Sequence, residues 1–220
     1  IPIKFFSDYL VNDDFKKYLS ESKEVQLKKR SIFDGKLKEV PCLLFEDFNT
    51  TGIVGDPFRQ QKKINGKRND FNAFWWSIFS KDKEQGSGGS VGIGRLCFAF
   101  SSDIQTFYSF SVPVNKNSGK KFFCGLSVFG DATDGIGQTL DPFARVGSLK
   151  EGKFLPILDE KLLKEYHSGL KLTRGFDEPG LSMIIPFPTP ALSGWENINR
   201  NIVSRYRYAI FNDQVELEIN

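Results

Sequence analysis

The sequence predicts an α+β fold, a two-layer sandwich of one mixed, mostly antiparallel sheet with helices on one face. Three observations carry this. Two apolar runs, IQTFYSFSV (Ile104 to Val112) and KFFCGLSVFG (Lys121 to Gly130), flank the turn-rich NKNSGKK, which is a hairpin signature. Helical and strand-like stretches alternate irregularly rather than as βαβ units. With 220 residues, 40% of them hydrophobic, and 22 Phe against one Met, the chain can bury one aromatic-rich core as a single domain spanning residues 1–220.

In order along the chain, IPIKFF reads as a strand, and Asn12, Asp13 and Asp14 cap a charged helix, FKKYLSESKEVQLKK. VPCLLFED (Val40 to Asp47) is a short apolar run ending in two acids, a buried strand with carboxylates at its mouth. Asn49 to Asn69 is basic and irregular, the kind of long connection that serves as a functional loop or lid. DFNAFWWSIF (Asp70 to Phe79) predicts an aromatic helix, and GIGRLCFAFSS a buried one. Leu158 to Tyr166 predicts a short helix, and GLSMIIP (Gly180 to Pro186) a strand entered through Glu178-Pro179-Gly180. Trp195, Ile198, Ile202, Tyr206 and Ile210 recur at helical spacing over Trp195 to Phe211, and VELEI alternates as a final strand.

A net charge of +3 excludes a strong pull on nucleic acid from the whole chain, and basic clusters such as Lys62-Lys63 and Lys67-Arg68 read as solvated faces. No apolar run is long enough to span a bilayer, so no membrane partner is predicted. Cys42, Cys97 and Cys124 have neither metal nor disulfide spacing and read as reduced, buried thiols of a cytoplasmic protein. His167, the single histidine, reads as a surface residue, and Trp75 and Trp76 as core rather than base-stacking platforms.

The unusual stretch is QGSGGSVGIGR, with five glycines between Gly86 and Gly94. It is not the phosphate loop G-x-x-x-x-G-K-S/T, because Arg95 and Leu96 stand where lysine and the hydroxyl belong. Nor is it G-x-G-x-x-G, because Val91 and Cys97 occupy the third glycine position in the two possible registers. A G-x-x-G-x-G turn (Gly89, Ser90, Val91, Gly92, Ile93, Gly94) feeding a helix remains. It can aim backbone amides at an anion, with Arg95 beside it, or it is a Gly/Ser surface loop.

Three segments in order, EDFNTTGIVGD, GGSVGIGRLCF and EPGLSMIIP, resemble the nucleotide-binding motifs of the GHKL ATPase superfamily. That group contains DNA gyrase, heat-shock chaperone ATPases, sensor histidine kinases and mismatch-repair ATPases. The resemblance implies the Bergerat (histidine-kinase-like ATPase) fold, ATP with Mg2+ as cofactors, and hydrolysis. Asp47, Asn49, Thr51 and Gly52 are similar to its D-x-G-x-G motif, in which the aspartate accepts from the adenine amine. Gly89 to Gly94 resemble the glycine lid over the phosphates, and Gly180 with Ser182 the G-T element, whose hydroxyl supports that carboxylate or its bridging water. The family's E-x-x-x-N helix, which supplies the general base and the magnesium ligand, has no match before Val40, so the resemblance implies a fragment whose helix lies before residue 1. No catalytic residue is assigned. The wording D-x-N-T-T-G and the tail with Trp195 resemble bacterial members, which implies a switch in a larger protein of DNA processing or phage defence. Its partners would be ATP, neighbouring domains or a partner protein, a second copy in a homodimer, and, least supported, nucleic acid. The alternative is a protein- or nucleic-acid-interaction module that keeps the fold without hydrolysis.

Overall fold

The computed structural model describes residues 1–11, 15, 37–59, 61–76, 94–115, 117–128, 141–150, 153–192 and 194–219. The charged helix expected after Asn12 and the residues Gly89 to Ile93 lie outside them, Phe15 excepted. Residues 1–187 and 188–220 form two compact units.

The first unit is built on a five-stranded sheet. Its strands are β1 (Cys42–Glu46), β4 (Thr106–Val112), β5 (Phe122–Val128), β6 (Phe143–Val146) and β9 (Gly180–Pro186), in the order β1-β9-β4-β5-β6. Every pairing is antiparallel, so the sheet is not mixed. The predicted hairpin is β4–β5, with Phe110 opposite Phe123 and Phe107 opposite Leu126. Two short hairpins complete the strands: β2 (Lys63–Ile64) with β3 (Lys67–Arg68), and β7 (Ser148–Lys150) with β8 (Lys153–Leu155).

Helices cover both faces, not one. Against one face pack Phe6 and Leu10, from an α-turn α1 (Ile3–Phe5) that runs into a π-turn (Phe6–Leu10), and Leu163, Tyr166 and Leu170 at and just beyond α4 (Glu160–Gly169). They meet Tyr108, Phe110, Phe123 and Ile184. Against the other pack Phe71 and Trp75 of α2 (Asp70–Trp75) and Leu96 and Ala99 of α3 (Leu96–Phe100), over Phe107, Phe122, Leu126 and Met183. The reason lies in the strands themselves. Alternate residues of a strand point to opposite faces, and in β4 and β5 both alternating sets are buried. A sheet apolar on both sides needs two covers.

IPIKFF is not a strand. Only the first residues pair, Ile1 with Val40, Pro2 with Glu39 and the Ile3 N–H with the Lys38 carbonyl, before the chain turns helical. Ile3, Phe6 and Leu10 carry the helical spacing, and Phe6 and Leu10 are the two that bury. The long connection from Asn49 is also more structured than its composition suggests. The Asn69 amide donates to the carbonyls of Asp56, Arg59 and Gln61, and Asn65-Gly66, both at positive φ, turn the β2–β3 hairpin.

The second unit holds α5 (Trp195–Phe211), with the predicted bounds and with Tyr208 and Phe211 exposed. Residues 215–219 form no strand.

Candidate functional site

The carboxylate predicted to read adenine stands just beyond β1. Asp47 extends the β1–β9 ladder by one step: its N–H donates to the Leu181 carbonyl at 3.0 Å, and its Oδ1 accepts the Leu181 N–H at 2.6 Å. The Thr50 hydroxyl donates to the same Oδ1 at 2.7 Å. Asp47 is exposed, and among the described residues its Oδ2 has no donor. One oxygen is therefore fixed and the other is turned to solvent. That is a positioned hydrogen-bond acceptor at a strand end.

The backbone around it requires the residues that the motif supplies. Asn49 and Gly52 sit at φ 58° and 62°, the left-handed region that glycine and asparagine tolerate best. At Gly52 a Cβ would fall 2.2 Å from the Val112 carbonyl oxygen, so the loop lies directly on the end of β4. At Gly180 (φ 145°) a Cβ would meet the Asp47 carbonyl oxygen at 2.5 Å and Oδ1 at 2.7 Å. The first and third motifs, more than a hundred residues apart in sequence, thus touch through backbone that only glycine permits. Thr51 donates its hydroxyl to the Gly52 carbonyl at 3.2 Å, and its carbonyl accepts from the Val114 N–H at 3.0 Å. The Ile53 N–H, donating to Ser111 Oγ at 2.9 Å, anchors the far end of the loop.

Ser182 is placed differently from the expectation. It is fully buried opposite Glu46, not beside the Asp47 carboxylate, and its hydroxyl donates to Glu46 Oε1 at 2.8 Å while accepting from Arg174 Nη2 at 2.9 Å. Arg174, 1% exposed, also donates from Nη2 to the Phe110 carbonyl at 3.2 Å and from Nη1 to the Glu178 carbonyl. Glu46 Oε2 accepts from the N–H and hydroxyl of Thr173. Burial pulls the Arg174 pKa down while Glu46, Asp47 and Glu178 support its charge. This network fixes the 173–180 turn against the end of β1, and so holds Gly180 and Leu181 under Asp47. The roles of Glu46 and Arg174 in this network were not legible in the sequence. The Glu-Asp pair at the strand mouth was the available signal, whereas nothing local marks Arg174.

Of the glycine-rich stretch only Gly94 and Arg95 are described; Gly89, Ser90, Val91, Gly92 and Ile93 are not. Arg95 is 5% exposed, not solvated. A cleft of about 750 Å³ lies elsewhere, between the 54–69 segment and the β4–β5 turn. Arg59, Lys67, Arg68 and Lys120 line it, with Phe58 under the Lys120 ammonium, and among the described residues none of the predicted site residues does. Arg59 and Arg68 pair with Asp56 and Asp70.

Three thiols are free: Cys124 is buried, Cys42 half-buried, and Cys97 exposed, contrary to expectation. His167 is half-buried rather than superficial, its Nε2 donating to the Arg174 carbonyl at 2.7 Å. Among the described residues no three His, Cys, Asp or Glu side chains gather to hold a metal, so the Mg2+ implied by the resemblance has no ligand set among them. No helix among them is long and apolar enough to cross a membrane.

No family model, curated protein or solved structure matches the chain. What the site does therefore rests on its geometry and on the motif resemblance.

Proposed function

We propose that the protein binds an adenine nucleotide, with Asp47 as the base-reading group of a GHKL-type site. The observation that carries this is the convergence of Asp47, Asn49, Gly52 and Gly180 at one end of the sheet, with left-handed backbone at Asn49 and Gly52. Leu181 N–H and Thr50 hydroxyl hold Oδ1, and Oδ2 accepts the exocyclic amine of adenine. Guanine presents a carbonyl at that position, and two acceptors facing each other lose a hydrogen bond and repel, which gives selectivity. Ser182, Glu46 and Arg174 act through the backbone by fixing the turn that carries Leu181.

ATP supplies a phosphate chain as well as the base, and the resemblance extends the reading to a nucleotide-driven switch. No hydrolytic step is assigned; among the described residues no three His, Cys, Asp or Glu side chains gather to hold a metal. Asp47→Asn tests the reading. Its amide has one oxygen and an NH2, so it cannot accept at both positions, and losing one hydrogen bond to a charged group weakens ATP binding about ten- to a hundredfold. Unchanged ATP affinity in a folded variant would remove Asp47 from the site.

A further inference from the structure

Arg95 and Arg145 are two buried or half-buried cations, each with guanidinium donors that lack acceptors among the described residues. Arg95 is 5% exposed, its Nε and Nη2 have no hydrogen-bond partner, and Nη1 reaches only the Ala73 carbonyl, at 3.5 Å. Arg145, on β6, lies with its guanidinium carbon 4.8 Å over the Trp76 ring, and its Nε is unpartnered. The Trp76 indole N–H is unpartnered and buried as well. Both arginines reach the carboxyl end of α2, Arg95 at the Ala73 carbonyl and Arg145 over the Trp76 ring, and the Arg145 charge acts on Arg95. Arg145 pairs across the sheet with Leu126, so its side chain lies on the α2–α3 face, where Arg95 begins α3.

Buried cations are normally paired. Here the Arg145 charge depresses the Arg95 pKa further, after burial, to about 10, and among the described residues the acid whose field reaches Arg145 is Asp141, an exposed residue. Four unpaired N–H donors around two like charges suit a multiply charged tetrahedral oxoanion. Guanidinium forks match phosphate oxygens two at a time, and Trp76 Nε1 adds a neutral donor.

We propose that Arg95, Arg145 and Trp76 form a binding site for a phosphate group, on the α2–α3 face of the sheet. The site does not depend on Asp47 reading adenine; the nucleotide reading bears only on whether the phosphate arrives on ATP or as a free ion.

Calorimetric titration with sodium tripolyphosphate tests it, on the wild type, Arg95→Gln, Arg145→Gln, Asp47→Asn and the cleft variant Lys67→Gln/Lys120→Gln. Either arginine substitution weakens binding about tenfold or more, whereas Asp47→Asn and the cleft variant leave it unchanged. Thermal denaturation of the wild type in phosphate against chloride at equal ionic strength guards against misfolded variants, and phosphate raises the Tm. ATP that competes with tripolyphosphate assigns the site to the nucleotide's phosphate chain. ATP that binds alongside it assigns the site to a free phosphate. Binding unaffected by both arginine variants, or equal Tm in the two salts, overturns the proposal. A loss confined to the cleft variant would do so too, by moving the anion site to the cleft.

Discussion

The two faces of one sheet each bury an arginine, and the two are treated in opposite ways. Arg174, 1% exposed, donates to Ser182, Phe110 and Glu178 and lies in the field of three carboxylates, with only Nε left over. Arg95, 5% exposed, has one long contact to a carbonyl and a second arginine as its charged neighbour. A buried cation surrounded by acceptors is part of the fold. One without them, where each unmet donor costs about 1–3 kcal/mol, is maintained for something that arrives later. Burial alone does not separate structural from functional arginines; hydrogen-bond accounting does.

The largest effect expected from this contrast is on stability. Arg174→Met removes the donor to the Ser182 hydroxyl and to two carbonyls, and leaves Glu46 without its cation. Urea unfolding should show a loss of about 3–5 kcal/mol. Arg95→Met, similar in volume and relieved of a like charge, should shift stability by less than about 1 kcal/mol without ligand. Equal losses would erase the distinction between the two faces.

A smaller comparison concerns glycines. Gly52→Ala places a Cβ against the Val112 carbonyl and strains a left-handed residue, at a cost of about 2–4 kcal/mol. Gly66→Ala, also left-handed but with nothing within 4 Å, should cost about 1–2 kcal/mol. If the two variants unfold at the same denaturant concentration, the packing of the Asp47 loop on β4 is misjudged.

The smallest effect separates the thiols. Burial raises the Cys42 pKa from 9.0 to about 11, and that of the fully buried Cys124 well above its usual value. Thiolate is the reactive form, so brief iodoacetamide treatment at pH 8 should label exposed Cys97 alone, as read by peptide mass. The folded state keeps the Cys42 proton longer than the unfolded chain does. That contribution to stability is intact below pH 9 and is lost as the pH rises toward 11. Labelling of Cys42 at pH 8 would show that this end of β1 opens.

Much of the frame was legible in the sequence. The β4–β5 hairpin, β9 from Gly180 to Pro186 and α5 from Trp195 to Phe211 follow from periodicity and turn residues, because their signals are local. The second helical cover was not, because a run such as TFYSFSV looks the same whether one face or both are packed. IPIKFF misled because its helical period becomes visible only when Leu10 is included. In the site, Asp47, Asn49 and Gly52 could be singled out by motif. Arg174 and Arg145 could not, since their partners Glu46, Ser182 and Trp76 come from distant segments that only the fold brings together.

The central claim, that Asp47 marks an adenine-reading site, is tested most directly by titrating the wild-type protein with ATP and GTP in parallel. ATP should bind tighter by about tenfold or more, since the carboxylate rewards an amine and repels a carbonyl. Equal affinities, or no binding of either by the folded protein, would contradict it.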